Sequence, residues 1–194
     1  MRLTTALATL LMLALYALPW LVNPGVSLTP GAYDLAEWTS LHPAVRGETP
    51  ALLTSFLLRL PLVCVGLLIA FSARGNKLVP AIAVLLIAAG LLPPLEFVRA
   101  LGDVNYQQQF ALALITLVGG AIGLSGILAR RHQAIVVTIA MIGAAASIVG
   151  LFNGYQLMRW FELPVQIGVG GVLLALAFAA FALSLLARRK PVHS

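Results

Sequence analysis

The sequence predicts an all-α, integral membrane bundle of six helices with both termini cytoplasmic, and three observations predict it. Of 194 residues, 61% are hydrophobic and only 9% are charged, too little polar side chain to cover a soluble globule. Six apolar runs approach the roughly 20 helical residues that cross about 30 Å of hydrocarbon. Charge also segregates by loop: Arg2, Arg74, Lys77, Arg130, Arg131, Arg188, Arg189 and Lys190 fall on one side, and all six acids, Asp34, Glu37, Glu48, Glu96, Asp103 and Glu162, fall on the other. By the positive-inside rule the first side is cytoplasmic. The net charge of +6 therefore reads as orientation, and no nucleic-acid partner is expected.

The chain reads as a single transmembrane domain, residues 1–194, with spans at 4–22, 51–72, 78–92, 110–129, 134–152 and 165–187. The first run resembles a secretory signal in its Arg2 start. No small-x-small cleavage pattern follows it, so it is expected to stay as a membrane anchor. Residues 23–50 form an extracytoplasmic loop, in which Ala32 to Leu41 reads as a short helix on the membrane surface, capped near Thr29 and Pro30. Pro61 is expected to kink the second span unless neighbours satisfy the carbonyl it frees. The third span is short if Pro93 and Pro94 end it, and a kinked continuation through LEFVRAL restores the length. The outer side is thus closed by three loops, 23–50, 93–109 and 153–164.

An ungapped alignment of Gly90–Arg99 with Gly150–Arg159 predicts a tandem helical-hairpin repeat in the back two-thirds of the chain. Small residues recur at four-residue intervals in the last three helices: Gly119 and Gly123, Gly143 and Ser147, Ala146 and Gly150, and Gly171, Ala175 and Ala179. Such stripes let helix backbones approach closely, either within this bundle or onto another subunit. Trp20, Trp38 and Trp160, with Tyr16, Tyr33, Tyr106 and Tyr155, fall near outer boundaries and read as an aromatic belt.

Chemistry-bearing residues are sparse. His42, His132 and His193 all lie outside the spans, so no axial ligand for a haem is expected and no cofactor or metal is assigned. His42 reads as a loop histidine, or as a lone ligand at the outer edge. Cys64 reads as a small buried hydrophobe. Arg59 is the one charge inside a span, and Glu48, Glu96 and Asp103 are its expected partners. It is an anchoring ion pair on one reading and part of an anion or proton route on the other. Glu96 with Arg99, and Arg159 with Glu162, stand three apart as interfacial pairs. No nucleophile or second convergent carboxylate accompanies them, so no catalytic residue and no enzymatic activity are expected.

The segments ALPWLV (17–22) and GAYDLAEW (31–38) resemble the first outer loop of uncharacterised bacterial multi-pass membrane proteins with an "LPW…GYDLA" pattern. The resemblance covers about a quarter of the chain. It implies a bacterial cytoplasmic (inner) membrane location and carries no activity. The expected role is a non-catalytic accessory subunit of a larger membrane complex of respiratory or photosynthetic electron-transfer type. Its partners are membrane lipids and other integral subunits, met through Trp38, Glu37, Arg46, Arg99 and Arg159 on the composite outer cap. The alternative is a small transporter or channel component built on Arg59.

Overall fold

The computed structural model describes residues 3–25, 29–47, 49–95 and 99–187. Within them the chain runs through α1 (Leu3–Ala17), β1 (Leu21–Val22), α2 (Ala32–Ser40), α3 (Pro43–Arg46), α4 (Leu53–Phe71) and α5 (Leu78–Leu91). It continues through α6 (Val104–Ser125), a 3-10 turn at Ala129–Arg131, α7 (His132–Trp160), β2 (Gln166–Ile167) and α8 (Val169–Ala187). Four helical stretches, those of α4, α6, α7 and α8, are long and apolar enough to cross a membrane, and α1 and α5 are shorter apolar helices. Arg2, Glu48, Glu96, Arg188, Arg189 and Lys190 of the charge reading above, and His193, lie outside the described residues.

Helix α4 is the axis of the bundle. It packs against α7, α6, α5, α2 and α1, while α8 closes the structure against α7 and α1. The core at its level is apolar: Val63, Val65 and Leu68 meet Leu91, Leu112, Ala140, Leu174 and Phe178. Cys64 is buried among them and free. The outer surface is apolar too, with Leu78, Val79, Ile82, Leu85 and Leu86 of α5 exposed. Hydrophobic periodicity therefore says little here, and close packing at small residues decides which faces meet. A Cβ added at Gly120 would come 2.5 Å from Val84, at Gly143 2.7 Å from Phe178, and at Gly171 3.0 Å from Leu151. Those glycines are spent on this bundle's own helix contacts.

Pro61 lies inside α4 without ending it. Proline offers no N–H to Leu57 four residues back, and α7 approaches there: a Cβ on Gly150 would stand 3.1 Å from the Leu57 carbonyl carbon and 3.2 Å from its oxygen. The next carbonyl, of Leu58, accepts a 3.1 Å hydrogen bond from the Tyr16 hydroxyl. Neighbouring helices thus cover the weak point of α4.

Several boundaries differ from expectation for identifiable reasons. Helix α5 stops at Leu91 and does not continue through LEFVRAL, because Leu92 is extended (ψ 142°), as a residue before proline prefers. The first span breaks at Ala17, since Pro19 follows, and Leu21–Val22 pairs antiparallel with Gln166–Ile167, tying the end of α1 to the start of α8. Gly168 donates to the Trp20 carbonyl at 2.8 Å and Gly170 to that of Pro19 at 2.9 Å. Gly170 and Gly171 also admit the indole of Trp20, which is 0% exposed. Trp20 is therefore a core residue rather than part of an interfacial belt, and Tyr16, edge-on to it at 6.1 Å, is buried with it.

Helix α7 runs eight residues past its expected end at Phe152. At about 1.5 Å per residue its 29 residues span about 43 Å, more than a hydrocarbon core needs. Its last turns form a post against which α2 packs, with Gly154 facing Leu35. The Gly90–Arg99 and Gly150–Arg159 segments consequently have different structures: the first leaves its helix at Leu92, whereas the second is helical throughout. The two aligned segments therefore do not share one local conformation.

Candidate functional site

Arg59 projects from the first third of α4 and is 0% exposed. A guanidinium at that depth needs its charge and its donors satisfied. One Nη donates to Glu37 Oε1 of α2 at 2.7 Å, and the other donates to Asn105 Oδ1 at 2.8 Å and Gln108 Oε1 at 3.1 Å, both on α6. Gln109 Nε2 also donates to Glu37 Oε1, at 2.7 Å. Asn105, Gln108 and Gln109 stand at i, i+3 and i+4, which places all three on one helix face. Two buried atoms, Arg59 Nε and Gln109 Oε1, have no protein partner among the described residues.

Local structure supplies each participant. Helix α6 begins six residues earlier than expected because the Asp103 side chain caps it, accepting from the N–H groups of Asn105 (2.8 Å) and Tyr106 (3.3 Å). The polar run NYQQQ thereby becomes the first turns of a helix. Helix α2 starts after Gly31, with no capping side chain, so the expected cap at Thr29 is not used. Helix α2 buries Ala32, Leu35, Ala36 and Thr39 against the bundle. The Thr39 and Ser55 hydroxyls hydrogen-bond at 2.9 Å, one helical turn from the Glu37–Arg59 pair. Leu52, which precedes α4 in a left-handed conformation (φ 57°), is held there by its N–H to the Val45 carbonyl (2.9 Å) and by Gln108 Nε2 donating to its own carbonyl (3.2 Å).

The expected partners of Arg59 are thus corrected. Asp103 is used by the α6 cap and by Arg46, whose Nη lies 3.2 Å from it, and Glu48 and Glu96 lie outside the described residues. Glu37, assigned above to an outer docking surface, is the true counter-ion, because α2 folds inward and delivers it. Arg46 likewise faces an intramolecular partner, and its Nε also donates to the Ser40 carbonyl. Trp38 is 54% exposed and Arg99 and Arg159 are exposed. Arg159 turns back to the Tyr155 hydroxyl (3.4 Å) rather than to Glu162, since the helix ends at Trp160 and Glu162 takes a positive φ of 59°.

Above the network a cleft of about 410 Å³ opens between the first two loops, with Tyr33, Glu37, Arg46, Asp103, Asn105 and Gln109 in its walls. Burial and the neighbouring Glu37 charge push the Tyr33 hydroxyl above its ordinary value. The third loop joins the first where the His42 and Phe161 rings meet edge-on at 4.2 Å. His42 also caps α3, its Nδ1 accepting from the Ala44 N–H, which gives the loop histidine a structural task.

No protein-family model matches this chain, and no curated protein or solved structure is significantly similar to it. Function must be read from geometry. Among the described residues no three His, Cys, Asp or Glu side chains gather, and the two carboxylates of the cleft, Glu37 and Asp103, pair with Arg59 behind it and Arg46 in its wall. Such a site suits fastening or polar recognition. The amides Asn105, Gln108 and Gln109 were the part missed above, although their i, i+3, i+4 spacing just after a capping aspartate was a readable signal.

Proposed function

We propose that the protein is a non-catalytic, multi-pass subunit of a larger membrane complex of the bacterial inner membrane, of respiratory or photosynthetic electron-transfer type. In this reading α1 and α5 complete six crossings, both ends of the chain face the cytoplasm, and the three loops form an extracytoplasmic docking cap. The segregation of Arg74, Lys77, Arg130 and Arg131 from Asp34, Glu37, Asp103 and Glu162 supports the orientation. The observation that carries the reading is that the cap is fastened to itself: Arg46 to Asp103, Glu37 to Arg59, His42 to Phe161, and β1 to β2. A surface held at four points is preorganised for a partner. It leaves large side chains outward, with Trp38 54%, Leu41 73% and Trp160 72% exposed. Extraction in mild detergent followed by native separation should find the chain migrating with other membrane subunits. Migration as a lone monomer would refute the proposal.

A second reading, a small transporter or channel component, draws on the cleft and the buried Arg59 behind it. Against it, about 18 Å of α4 separate Arg59 from Phe71 at about 1.5 Å per residue, and that length is packed by apolar side chains such as Val63, Leu68, Val84 and Leu112. If Arg59→Ala abolished a measurable solute flux while the fold persisted, the transport reading would replace the first.

A further inference from the structure

At the opposite end of the bundle, a cavity of about 670 Å³ lies between the end of α4, the end of α6 and the start of α7. Its walls have two chemistries. Its lining combines the basic Arg130 and Arg131, with Arg74, and the apolar Phe71, Ile122 and Leu128. Ile122 and Leu128 are 39% and 38% exposed, and Ile127 beside them is 80% exposed, so the apolar wall continues onto the lipid-facing surface. His132 holds the floor, its ring Nε2 hydrogen-bonded to the Phe71 carbonyl at the end of α4. That carbonyl can only accept, so Nε2 carries the proton.

Arg130 and Arg131 form no ion pair among the described residues. Both ion pairs found among the described residues, Arg46–Asp103 and Glu37–Arg59, lie at the capped end, as do all the described acids. Arg130 and Arg131 are exposed and sit in the tight 3-10 turn between α6 and α7, which holds the two guanidinium stems at the rim. We propose that this cavity binds the phosphate headgroup of an anionic phospholipid, with Arg130 and Arg131 on the phosphate and the Ile122–Leu128 wall against the first carbons of an acyl chain. A soluble phosphate satisfies the arginines alone, and the continuous apolar wall favours the lipid. Basic pockets between helix ends at an anionic leaflet are suited to such headgroups. The inference rests on the membrane-spanning reading above but not on any partner subunit.

The test uses the full chain purified in neutral detergent, with bound lipid counted by native mass spectrometry and confirmed by thermal shift. Phosphatidylglycerol should be retained and raise the melting temperature, whereas phosphatidylcholine and inorganic phosphate at equal concentration should do neither. Arg130→Gln with Arg131→Gln should weaken phosphatidylglycerol binding by about thirtyfold, at about 1 kcal/mol for each arginine near an anionic surface. The melting temperature in phosphatidylcholine should be unchanged by that pair of substitutions, which shows that the fold is intact. Arg99→Gln with Arg159→Gln, at the capped end, should leave phosphatidylglycerol binding as it was. Equal loss in both double variants would mean unspecific charge attraction and overturn the site, and stabilisation by inorganic phosphate as strong as by the lipid would overturn the lipid assignment. If the chain failed to insert in membranes at all, the six-span reading would fall first, and that outcome is scored separately by membrane fractionation.

Discussion

The Glu37–Arg59 pair can be tested by unequal consequences of removing each partner. Arg59 is 0% exposed, whereas the Glu37 side chain is 37% exposed. Glu37→Leu strands a guanidinium that water cannot reach, and breaking a buried pair in this way costs about 3–5 kcal/mol. Asn105 and Gln108 still accept from the cation, which keeps the loss nearer the lower figure. Arg59→Met instead leaves a carboxylate that can hydrate through the cleft, and its cost, about 2–3 kcal/mol, comes mainly from amide oxygens deprived of a donor. The double variant should be no less stable than Glu37→Leu alone, giving a coupling of about 2–3 kcal/mol. Glu37→Gln, which keeps an acceptor in place, should be the mildest change. Equilibrium unfolding in mixed micelles, followed by far-UV circular dichroism and by fluorescence of the buried Trp20, measures all four. The reasoning fails if Arg59→Met is more destabilising than Glu37→Leu, or if the two effects simply add, because either result means that Arg59 is already hydrated and does not hold α2.

Four further outcomes follow from local geometry. Gly168→Ala would place a Cβ 2.3 Å from the Pro19 carbonyl oxygen, which is backbone and cannot yield, so it should destabilise by about 1–3 kcal/mol. Gly90→Ala, with nothing within 4 Å, should stabilise helix α5 by about 0.5–1 kcal/mol, and thermal melts in detergent compare the two. Val22→Cys with Gln166→Cys, in a Cys64→Ala background, should form a disulfide under mild oxidation because the two residues are directly paired across β1 and β2, as read by electrophoretic mobility with and without reductant. Burial pushes the Asp103 carboxyl up, but the Tyr106 N–H, Arg46 and the Asn105 N–H more than offset it and hold it below its ordinary value of 3.8. A lowered carboxyl stabilises the fold above pH 3.8 and loses that contribution as pH falls through the lowered value. Asp103→Asn should therefore flatten the acid limb of the stability profile.

The helical class, the four long apolar helices and the tight glycine contacts were legible because hydrophobic length and small-residue spacing act locally. Pro93 marked the end of α5 for the same reason, since it constrains the residue before it. What the sequence concealed was set by tertiary contact. Asn105 to Gln109 read as loop because polar residues at a span's edge usually meet water, yet they are helical because they face Arg59. Asn153 and Gly154 read as a turn, but Gly154 is needed in the helix so that Leu35 can pack on it. Trp20 read as an interfacial ring because nothing in its own neighbourhood announces Gly170 and Gly171, which arrive from the far end of the chain to make room for it. Among acids of similar loop position, only the inward fold of α2 distinguishes Glu37 as the counter-ion.

The two ends of the bundle differ in how their charges are met, and this difference links the proposals. Arg59 lies six residues into α4, about 9 Å along it at 1.5 Å per residue, shallow enough for a loop helix to deliver a carboxylate from outside the hydrocarbon. Moved two turns deeper, the same arginine would require an acid buried in a span. At the capped end Glu37 and Asp103 are engaged with arginines, and Trp38, Leu41 and Trp160 stand outward beside the exposed charges of Asp34, Arg99, Arg159 and Glu162. Such a surface would meet a protein partner through burial of Trp38 and Trp160 rimmed by charge. At the basic end Arg130 and Arg131 form no ion pair among the described residues, which leaves them open to anions from the surroundings. A membrane supplies phosphate at that level in fixed geometry, whereas a soluble ion would have to be captured from dilution. The same chain would thus be held by lipid at one end and by protein at the other, and substitutions at Arg130 and Trp38 should separate the two functions cleanly.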